Sequence, residues 1–448
     1  MAFRFVHTAD IHLDSPLRGL AGQDGAAAER IRTATRAAFE GLVGATIEAQ
    51  AEFMVIAGDL YDGDWRDYQT GLFFVAQMGR LARAGIPVFL AHGNHDAESR
   101  ITRRLALPDN VRTFGHRRAE SFRLDGREVV LHGRSFPQRD VTENLVPGYP
   151  EPVAGAFNIG VLHTGLGGRG GHADYAPCTL GELVAKGYDY WALGHVHQAE
   201  VLHEAPHVVF PGNLQGRHIR EAGAKGAWLV TVADGMVAEM ARLETDVVRW
   251  AVLRVDAAGC DRLPALEDRI RDRVEAAAGD AAAREAAAGD AARSGAGDRL
   301  LAVRIELHGA TALHDSLPAA RPGLLAGARA AALALGPDTA WVEKVALATE
   351  PAGEDAVRHA RADALGDLQR LLDHAAADPQ LAERLEAEVF AMARGLPPAL
   401  RNEVDSPALA AALAGDRDGI VALGRRRLAA HLAGTAPGPS GDGGTDTD

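Results

Sequence analysis

The chain has 448 residues, of which 47% are hydrophobic and 24% charged, and its formal net charge is −14. That length exceeds what one hydrophobic core organises and implies two or three domains, while the composition is that of a soluble globular protein. The acidic total argues against a protein that coats DNA by bulk electrostatics, and no apolar run of about 18 residues is present to span a membrane. The N-terminus leads straight into Phe3 without a signal-peptide pattern. Cys178 and Cys260 are the only cysteines and form no Cys-x-x-Cys pair. Two unpaired thiols fit a reducing compartment, so a cytoplasmic location is expected.

Residues 1–245 read as one α/β unit. Apolar, strand-like runs recur at 3–6, 53–57, 87–91, 128–131, 157–162 and 188–193. Helical stretches fall between several of them, over 26–51 and 69–84; in the latter, Leu72, Phe73, Val75, Ala76, Met78 and Leu81 approximate a helical stripe. Short buried strands alternating with helices imply sheets covered by helices. The runs 207–210, 228–232 and 237–242 predict an antiparallel closing meander. A small β-α-β unit follows, with strands at 250–255 and 300–307 and a helix at 263–277. Within it, Ala-Ala-Ala-Gly-Asp-Ala-Ala occurs at 276–282 and again at 286–292, which predicts a helical extension or an exposed loop. From about residue 355 the pattern is helical (356–376, 379–394 and 407–431), with Gly and Pro as punctuation. Residues 434–448 read as a disordered acidic tail. The domains expected are therefore 1–245, 246–350, 351–433 and that tail.

Five short motifs each follow an apolar run: Asp10-Ile11-His12, Gly58-Asp59-Leu60-Tyr61-Asp62, Gly93-Asn94-His95-Asp96, His163, and Gly194-His195-Val196-His197. Loops beyond the carboxyl ends of strands converge on one crevice in α/β proteins, so these motifs can meet. Asp10, His12, Asp59, Asn94, His163, His195 and His197 form a mixed oxygen and nitrogen donor set too large for one ion. It suits two divalent ions sharing a carboxylate, the apparatus for attack of water on a phosphate ester. A carboxylate can bridge two cations, which makes Asp59 the natural shared ligand. The imidazoles favour Mn, Fe, Co, Ni or Zn over Mg or Ca. Any one of these motifs alone is weak, because isolated Asp-x-His or Gly-His-x-His patterns are commonly structural. Their joint occurrence in this order carries the inference.

At these residues the chain resembles the calcineurin-like metallophosphoesterase superfamily, and within it the DNA repair exonucleases of the SbcD type, in their YhaO-like branch. The stretches His7 to Asp14, Gly58 to Trp65 and Pro211 to Arg217 carry the resemblance. It implies a two-sheet α/β sandwich with flanking helices, then a small α/β capping domain and a helical C-terminal segment. One ion would be held by Asp10, His12, Asp59 and His197, the other by Asp59, Asn94, His163 and His195, with Mn²⁺ the usual ion. His95 matches the non-ligand histidine that positions the scissile phosphate and helps the leaving oxygen gain a proton. Asp96 is expected to orient His95. The position of Asp62 is usually histidine in SbcD-type nucleases; a carboxylate there is expected to turn away toward an arginine or a backbone N–H.

The activity so implied is metal-dependent hydrolysis of DNA phosphodiesters. Residues 98–139 hold ten arginines (Arg100, Arg103, Arg104, Arg112, Arg117, Arg118, Arg123, Arg127, Arg134 and Arg139) against five acids. The stretch is either a solvated face or a phosphate track beside the site, with Arg103 and Arg104 as substrate contacts. Asn213 and Arg217, in a Gly-Asn-Leu-Gln-Gly-Arg turn, are further candidates for substrate phosphate. Two rival functions remain open: a phosphoesterase for nucleotides or small molecules, and a scaffold subunit for an SMC-like coiled-coil ATPase of the SbcC type, which would meet the helices after 355. A second copy of the chain is a further candidate partner.

Overall fold

A computed structural model describes residues 2–15, 26–62, 68–98, 106–168, 174–287, 299–352, 379–396, 407–416, 418–420 and 422–424. Among them two compact units are distinguished. The first draws on Met1–Val255, Glu267–Glu306 and Gly323–Ala346, the second on Asp256–Leu266, Leu307–Pro322 and Leu347–Asp448.

The first unit opens with β1 (Phe3–Thr8), α1 (Ala26–Glu48), β2 (Phe53–Ala57), α2 (Tyr68–Arg83), β3 (Val88–Ala91), the single-turn α3 (Asn94–Glu98) and β4 (Val111–Thr113). It continues with β5 (Glu120–Arg123), β6 (Val129–Gly133), β7 (Phe157–His163), α4 (Leu180–Ala185), β8 (Tyr190–Gly194), β9 (Glu200–Glu204), β10 (His207–Phe210), β11 (Gly226–Ala233) and β12 (Met236–Glu244). The strands form two six-stranded sheets, ordered β12-β11-β1-β2-β3-β4 and β5-β6-β7-β8-β10-β9. The architecture is mixed α/β, with helices flanking two large sheets.

Period-two alternation explains the layering. In β2, Phe53, Val55 and Ala57 join the core between the sheets, together with Phe5, Phe89, Leu131, Ile159, Val161, Tyr190 and Ala192. Met54 and Ile56 face the other way, into a core with Phe39, Leu42 and Val43 of α1 and Phe74, Met78 and Leu81 of α2. Phe5 stacks on Phe53 at 5.0 Å between centroids and meets Tyr190 edge-on at 5.2 Å. Both faces of β2 are buried, which is why the run reads as continuously apolar.

The expected closing meander is corrected. β10 lies in the second sheet, parallel to β8 and antiparallel to β9. Of the three runs, β11 and β12 alone pair with each other, as an antiparallel hairpin that extends the first sheet beyond β1. The strand β9 (Glu-Val-Leu-His-Glu) escapes detection by pattern because it is a half-exposed edge with few apolar residues.

Beyond β12 come β13 (Val248–Asp256), α5 (Leu263–Ala287), β14 (Leu300–Thr311), α6 (Leu317–Ala334) and β15 (Ala340–Pro351), with sheet order β13-β14-β15. The expected β-α-β unit therefore gains a second helix and a third strand. The first Ala/Gly/Asp repeat lies within α5, and most of the second lies outside the described residues. In the second unit, Thr311 donates through Oγ1 to the Cys260 carbonyl at 2.8 Å. There α7 (Pro379–Gly395) packs on α8 (Pro407–Ala414). The helix expected at 356–376 and the tail at 434–448 lie outside the described residues. No described helix is long and apolar enough to cross a membrane.

Candidate metal centre

β1, β2, β3, β7 and β8 end on the same side of the sandwich, since β2 is parallel to β1 and β3, and β7 to β8. The ligand motifs follow those ends directly. Asp10, His12, Asp59 and His195 all adopt positive φ (49°, 47°, 52° and 101°). Non-glycine residues reach this region at a cost of about 1–3 kcal/mol each, and such strain gathers at functional sites. Glycine clears the space around them. Gly58 has φ 99°, and a Cβ there would overlap the His163 ring; one on Gly194 would overlap the Ala57 carbonyl.

The side chains gather into two ligand clusters. Potential ligand atoms of Asp10, His12 and His197 lie within 4.8 Å of one another, as do those of Asp59, His163 and His195. Asn94 Oδ1 joins the second cluster, 3.0 Å from His163 Nε2. Asp59 Oδ2 lies between them, 3.9 Å from His12 Nε2 and 3.5 Å from His163 Nε2. The expected ligand residues are thus together, and almost all are buried.

The hydrogen bonds test whether this set fits metal ions. His163 donates Nδ1–H to the Ala57 carbonyl at 2.9 Å, so its Nε2 lone pair faces Asn94 Oδ1 and Asp59 Oδ2. Three acceptors then point at one another. A proton or a cation must sit among them, and without an ion the carboxylates hold a proton on His163. Burial opposes that proton, but the Asp59 charge outweighs burial and the imidazole pKa rises to about 9. Metal uptake would release it.

The first cluster shows the same pattern. His12 Nε2 and His197 Nε2 face each other at 3.1 Å, while the buried His12 Nδ1 makes no hydrogen bond and lies 3.6 Å from Asp62 Oδ1. His197 Nδ1 is held by Glu221 Oε1 at 2.7 Å, which leaves Nε2 as the ligand atom. Asp10 accepts the His195 N–H through both oxygens, at 3.1 and 3.0 Å, yet burial pushes its carboxyl up to about 7. Burial also opposes ionisation of Asp59, but the imidazoles of His163, His95 and His12 hold it well below the usual range. The donor set fits two divalent ions.

Glu221 is a functional residue that no sequence motif marks. It sits in a 3-10 turn over Ile219–Glu221. Its buried carboxylate also accepts from the Arg217 backbone N–H at 2.8 Å, from Arg217 Nη2 at 3.0 Å and from Asn213 Nδ2 at 2.9 Å. Carboxylates behind ligating histidines fix the tautomer and the ring. Asn213 is fully buried in this support, also bonding the Gln215 carbonyl at 2.9 Å, so its expected contact with substrate is corrected. Lys225 Nζ donates to the His197 carbonyl at 2.9 Å and fixes the same loop.

Two expectations about the surroundings of His95 are also corrected. Asp96 does not hold His95. Its carboxylate accepts the backbone N–H groups of Leu60 (3.2 Å), Tyr61 (2.9 Å) and Gly93 (3.0 Å), tying the Asp59 and Asn94 loops together. The partner of His95 is Asp62, whose Oδ1 lies 3.0 Å from Nδ1. Asp62 faces the site instead of turning away; Ser15 Oγ donates to its Oδ2 at 2.6 Å, and Arg217 Nη1 lies 3.8 Å from that oxygen. Burial alone would lower the His95 pKa, but Asp59 and Asp62 raise it. The His95 side chain is 30% exposed, so it is open to a substrate.

The arginine-rich stretch divides. Arg127 pairs with Glu52 at the start of β2, and Arg112 and Arg123 line a cavity at the same end, opposite the ligand loops. Exposed Arg117 and Arg118 sit on the β4–β5 connection, at the ligand end of parallel strands β3 and β4. Arg103 and Arg104 lie outside the described residues.

The two flanked sheets, with candidate metal ligands at their strand ends, have the layout of a metallophosphoesterase fold. Residues 3–199 match the family Calcineurin-like phosphoesterase, and residues 250–350 match the family Metallophosphoesterase YhaO, middle domain. The chain thus carries a calcineurin-like phosphoesterase domain followed by a YhaO-type middle domain. It is 37% identical over 272 residues to metallophosphoesterase YhaO of Bacillus subtilis, across 60% of this chain and 66% of that protein. It is 26% identical over 230 residues to the DNA double-strand break repair protein Mre11 of Methanopyrus kandleri, across 47% of this chain and 48% of that protein. The matches thus span just under two thirds of the first relative's length and about half of the second's. A crystal structure of a dimetal phosphatase from Danio rerio matches at TM-score 0.32 and 12% identity, over 52% of this chain and 93% of that one, a likeness too slight to add to the assignment.

Proposed function

We propose that the chain is a DNA phosphodiesterase of the repair-nuclease kind, with Mn²⁺ as the activating ion. The observation that carries the chemistry is the pair of ligand clusters about Asp59 beside a partly exposed His95–Asp62 pair. Two bound divalent ions would supply Lewis-acid charge and an acidified water for in-line attack on phosphorus. Asp10, His12, Asp59 and His197 would hold one, and Asp59, Asn94, His163 and His195 the other. Asp62 holds His95 by Nδ1 and favours the imidazolium, leaving Nε2 to give a proton to the departing sugar oxygen. Arg217, between Asp62 and Glu221, adds positive charge beside the place the phosphate would take.

DNA as the substrate is supported by the likeness to Mre11 and by exposed Arg117 and Arg118 on the ligand side of the sheet. The test is incubation of the full chain with Mn²⁺ and end-labelled single- and double-stranded DNA, beside a chromogenic phosphodiester. Replacing Arg117 and Arg118 with Ala should weaken DNA binding. It should also flatten the slope of log affinity against log salt by roughly 0.9 for each phosphate no longer neutralised, leaving the chromogenic substrate untouched. Turnover of the chromogenic ester with no cleavage of either DNA would favour a small-molecule phosphoesterase, the reading that the net charge of −14 supports.

A further inference from the structure

We propose that the cavity at the N-terminal ends of β2 and β3 is a second ligand site, built for a nucleoside phosphate and remote from the metal centre. This inference does not depend on DNA being the substrate. The cavity measures about 580 Å³, within the range of roughly 300–1,000 Å³ typical of small-molecule sites. Glu52, in its lining, precedes β2, and Asp59 follows that strand. At about 3.3 Å per residue the two ends are on the order of 20 Å apart. Both sites can therefore be occupied together.

Three features of the lining specify the ligand. The first is a pair of loosely held cations. Arg127 is fully engaged, donating to both oxygens of Glu52 at 2.7 Å. Arg112 and Arg123 are held less firmly. Arg112 makes two long bonds, from Nη2 to Asp125 Oδ2 and from Nη1 to the Arg123 carbonyl, both at 3.4 Å, and the Asp125 side chain is 93% exposed. Arg123 Nη1 is 3.9 Å from Glu128 Oε2, with both side chains mostly in solvent. Exposed pairs at such distances contribute little. Both guanidiniums can exchange them for the planar, charge-assisted bonds that a phosphate offers.

The second feature is an apolar wall of Ala82, Ala84, Pro87 and Leu124 along the same cavity. An inorganic anion makes no use of it, whereas a base or sugar does. The third is an acceptor without a donor. Asn110 spends its amide N–H groups on the Met78 and Ile86 carbonyls, at 3.2 and 3.0 Å, and its Oδ1 is buried with no partner. An unmet buried acceptor is costly, and the N–H of a nucleobase satisfies it. A double cation, an apolar wall and one acceptor together match a nucleoside phosphate and no simpler anion.

The experiment is calorimetric titration of the full chain, metals bound, with deoxyadenosine monophosphate, inorganic phosphate and deoxyadenosine. Two variants separate this cavity from the metal centre. Replacing Arg112 and Arg123 with Ala removes the cations. Ala82→Trp places bulk at an exposed helix position lining the cavity and keeps both arginines. The expected result is saturable binding of the nucleotide, weakened about tenfold or more by each variant, as loss of a charge-assisted contact implies. Phosphate or nucleoside alone should bind at least about tenfold less tightly, and turnover of the chromogenic phosphodiester should be unchanged in both variants. Absence of saturable binding overturns the proposal. So does nucleotide binding that neither variant weakens, which would place the ligand elsewhere, and so does phosphate binding as tightly as the nucleotide, which would leave no role for the apolar wall.

Discussion

Glu221→Gln separates support of the metal centre from ligation itself. The carboxylate touches no expected ion position. It accepts His197 Nδ1–H at 2.7 Å on one oxygen, and Asn213 Nδ2 at 2.9 Å and the Arg217 N–H at 2.8 Å on the other. An amide of the same shape has a single acceptor oxygen, so its NH₂ must confront a donor on one side. If it confronts His197, the ring loses its tautomer lock. Removing such a partner costs about 10- to 100-fold in metal affinity, or about 1.4–2.7 kcal/mol. Arg217 also loses its main counter-charge. Breaking a buried pair costs about 3–5 kcal/mol, and the low end applies here because Asp62 Oδ2 remains 3.8 Å from Arg217. The assay is chelator competition with elemental analysis on the same sample, followed by urea unfolding. One ion, the one held by His197, should weaken while the other is kept. Two ions at wild-type affinity in a well-folded Gln variant would refute the reasoning.

Asp59→Asn should lose both ions and all activity, because both clusters use this carboxylate; elemental analysis with turnover decides it. His95→Gln should keep both metals and slow turnover by about 10²- to 10⁴-fold. Asp62→Asn should also keep the metals and slow turnover, by less than His95→Gln; a metal-replete Asp62→Asn enzyme with normal turnover would return Asp62 to a structural role. His7 provides a pH test. Burial lowers its pKa from 6.5 to about 3, with Tyr190 OH at 3.0 Å and the Leu193 carbonyl at 3.1 Å as its partners. The unfolded chain then binds the extra proton between those values, so stability is present in full above 6.5 and falls as pH drops toward 3. From pH 7 to pH 5 the His7 contribution to unfolding free energy should fall by about 2 kcal/mol (1.5 units at 1.36 each). A His7→Asn variant should lack that component of the urea-unfolding pH profile.

The metal centre was legible because its ligands are coded locally. Each lies within four residues of an apolar strand end, and strand polarity carries those ends to one side. The supports were less legible because they act over distance. Glu221 reaches His197 from 24 residues away in sequence, and nothing in Ile-Arg-Glu distinguishes a buried carboxylate from a surface one. The exchange of roles between Asp62 and Asp96 has the same cause. Both follow glycine motifs, and only the fold shows that Asp96 caps three backbone N–H groups while Asp62 meets His95. Strand partners were likewise undetermined by pattern. The His207–Phe210 run is as apolar as its neighbours, and its place beside β8 instead of β11 depends on which sheet edge remains open. Arg112, Arg123 and Arg127 illustrate the limit of counting charge along the chain. They share a stretch with Arg117 and Arg118, yet adjacent strands carry the two groups to opposite ends of the sandwich.

The backbone explains why these motifs are short and rich in glycine. A ligand loop leaving a parallel strand must turn within one or two residues to bring Asp10, Asp59 or His195 over the strand end. That turn passes through positive φ at each of them. Asp tolerates this region better than most residues, and the glycines beside Asp59 and His195 remove the Cβ atoms that would collide with His163 and Ala57. The strain is held by bonds from within the site. Asp10 Oδ1 and Oδ2 accept the N–H of His195, Asp59 Oδ1 accepts that of His95 at 3.0 Å, and the His12 N–H donates to the Asp59 carbonyl at 3.1 Å. Each candidate ligand loop is thus fastened to a loop from another strand, so the carboxylates that would hold the ions already hold the backbone that presents them. The ligand geometry is therefore set by the fold, and metal uptake would displace the proton on His163 without having to build the site.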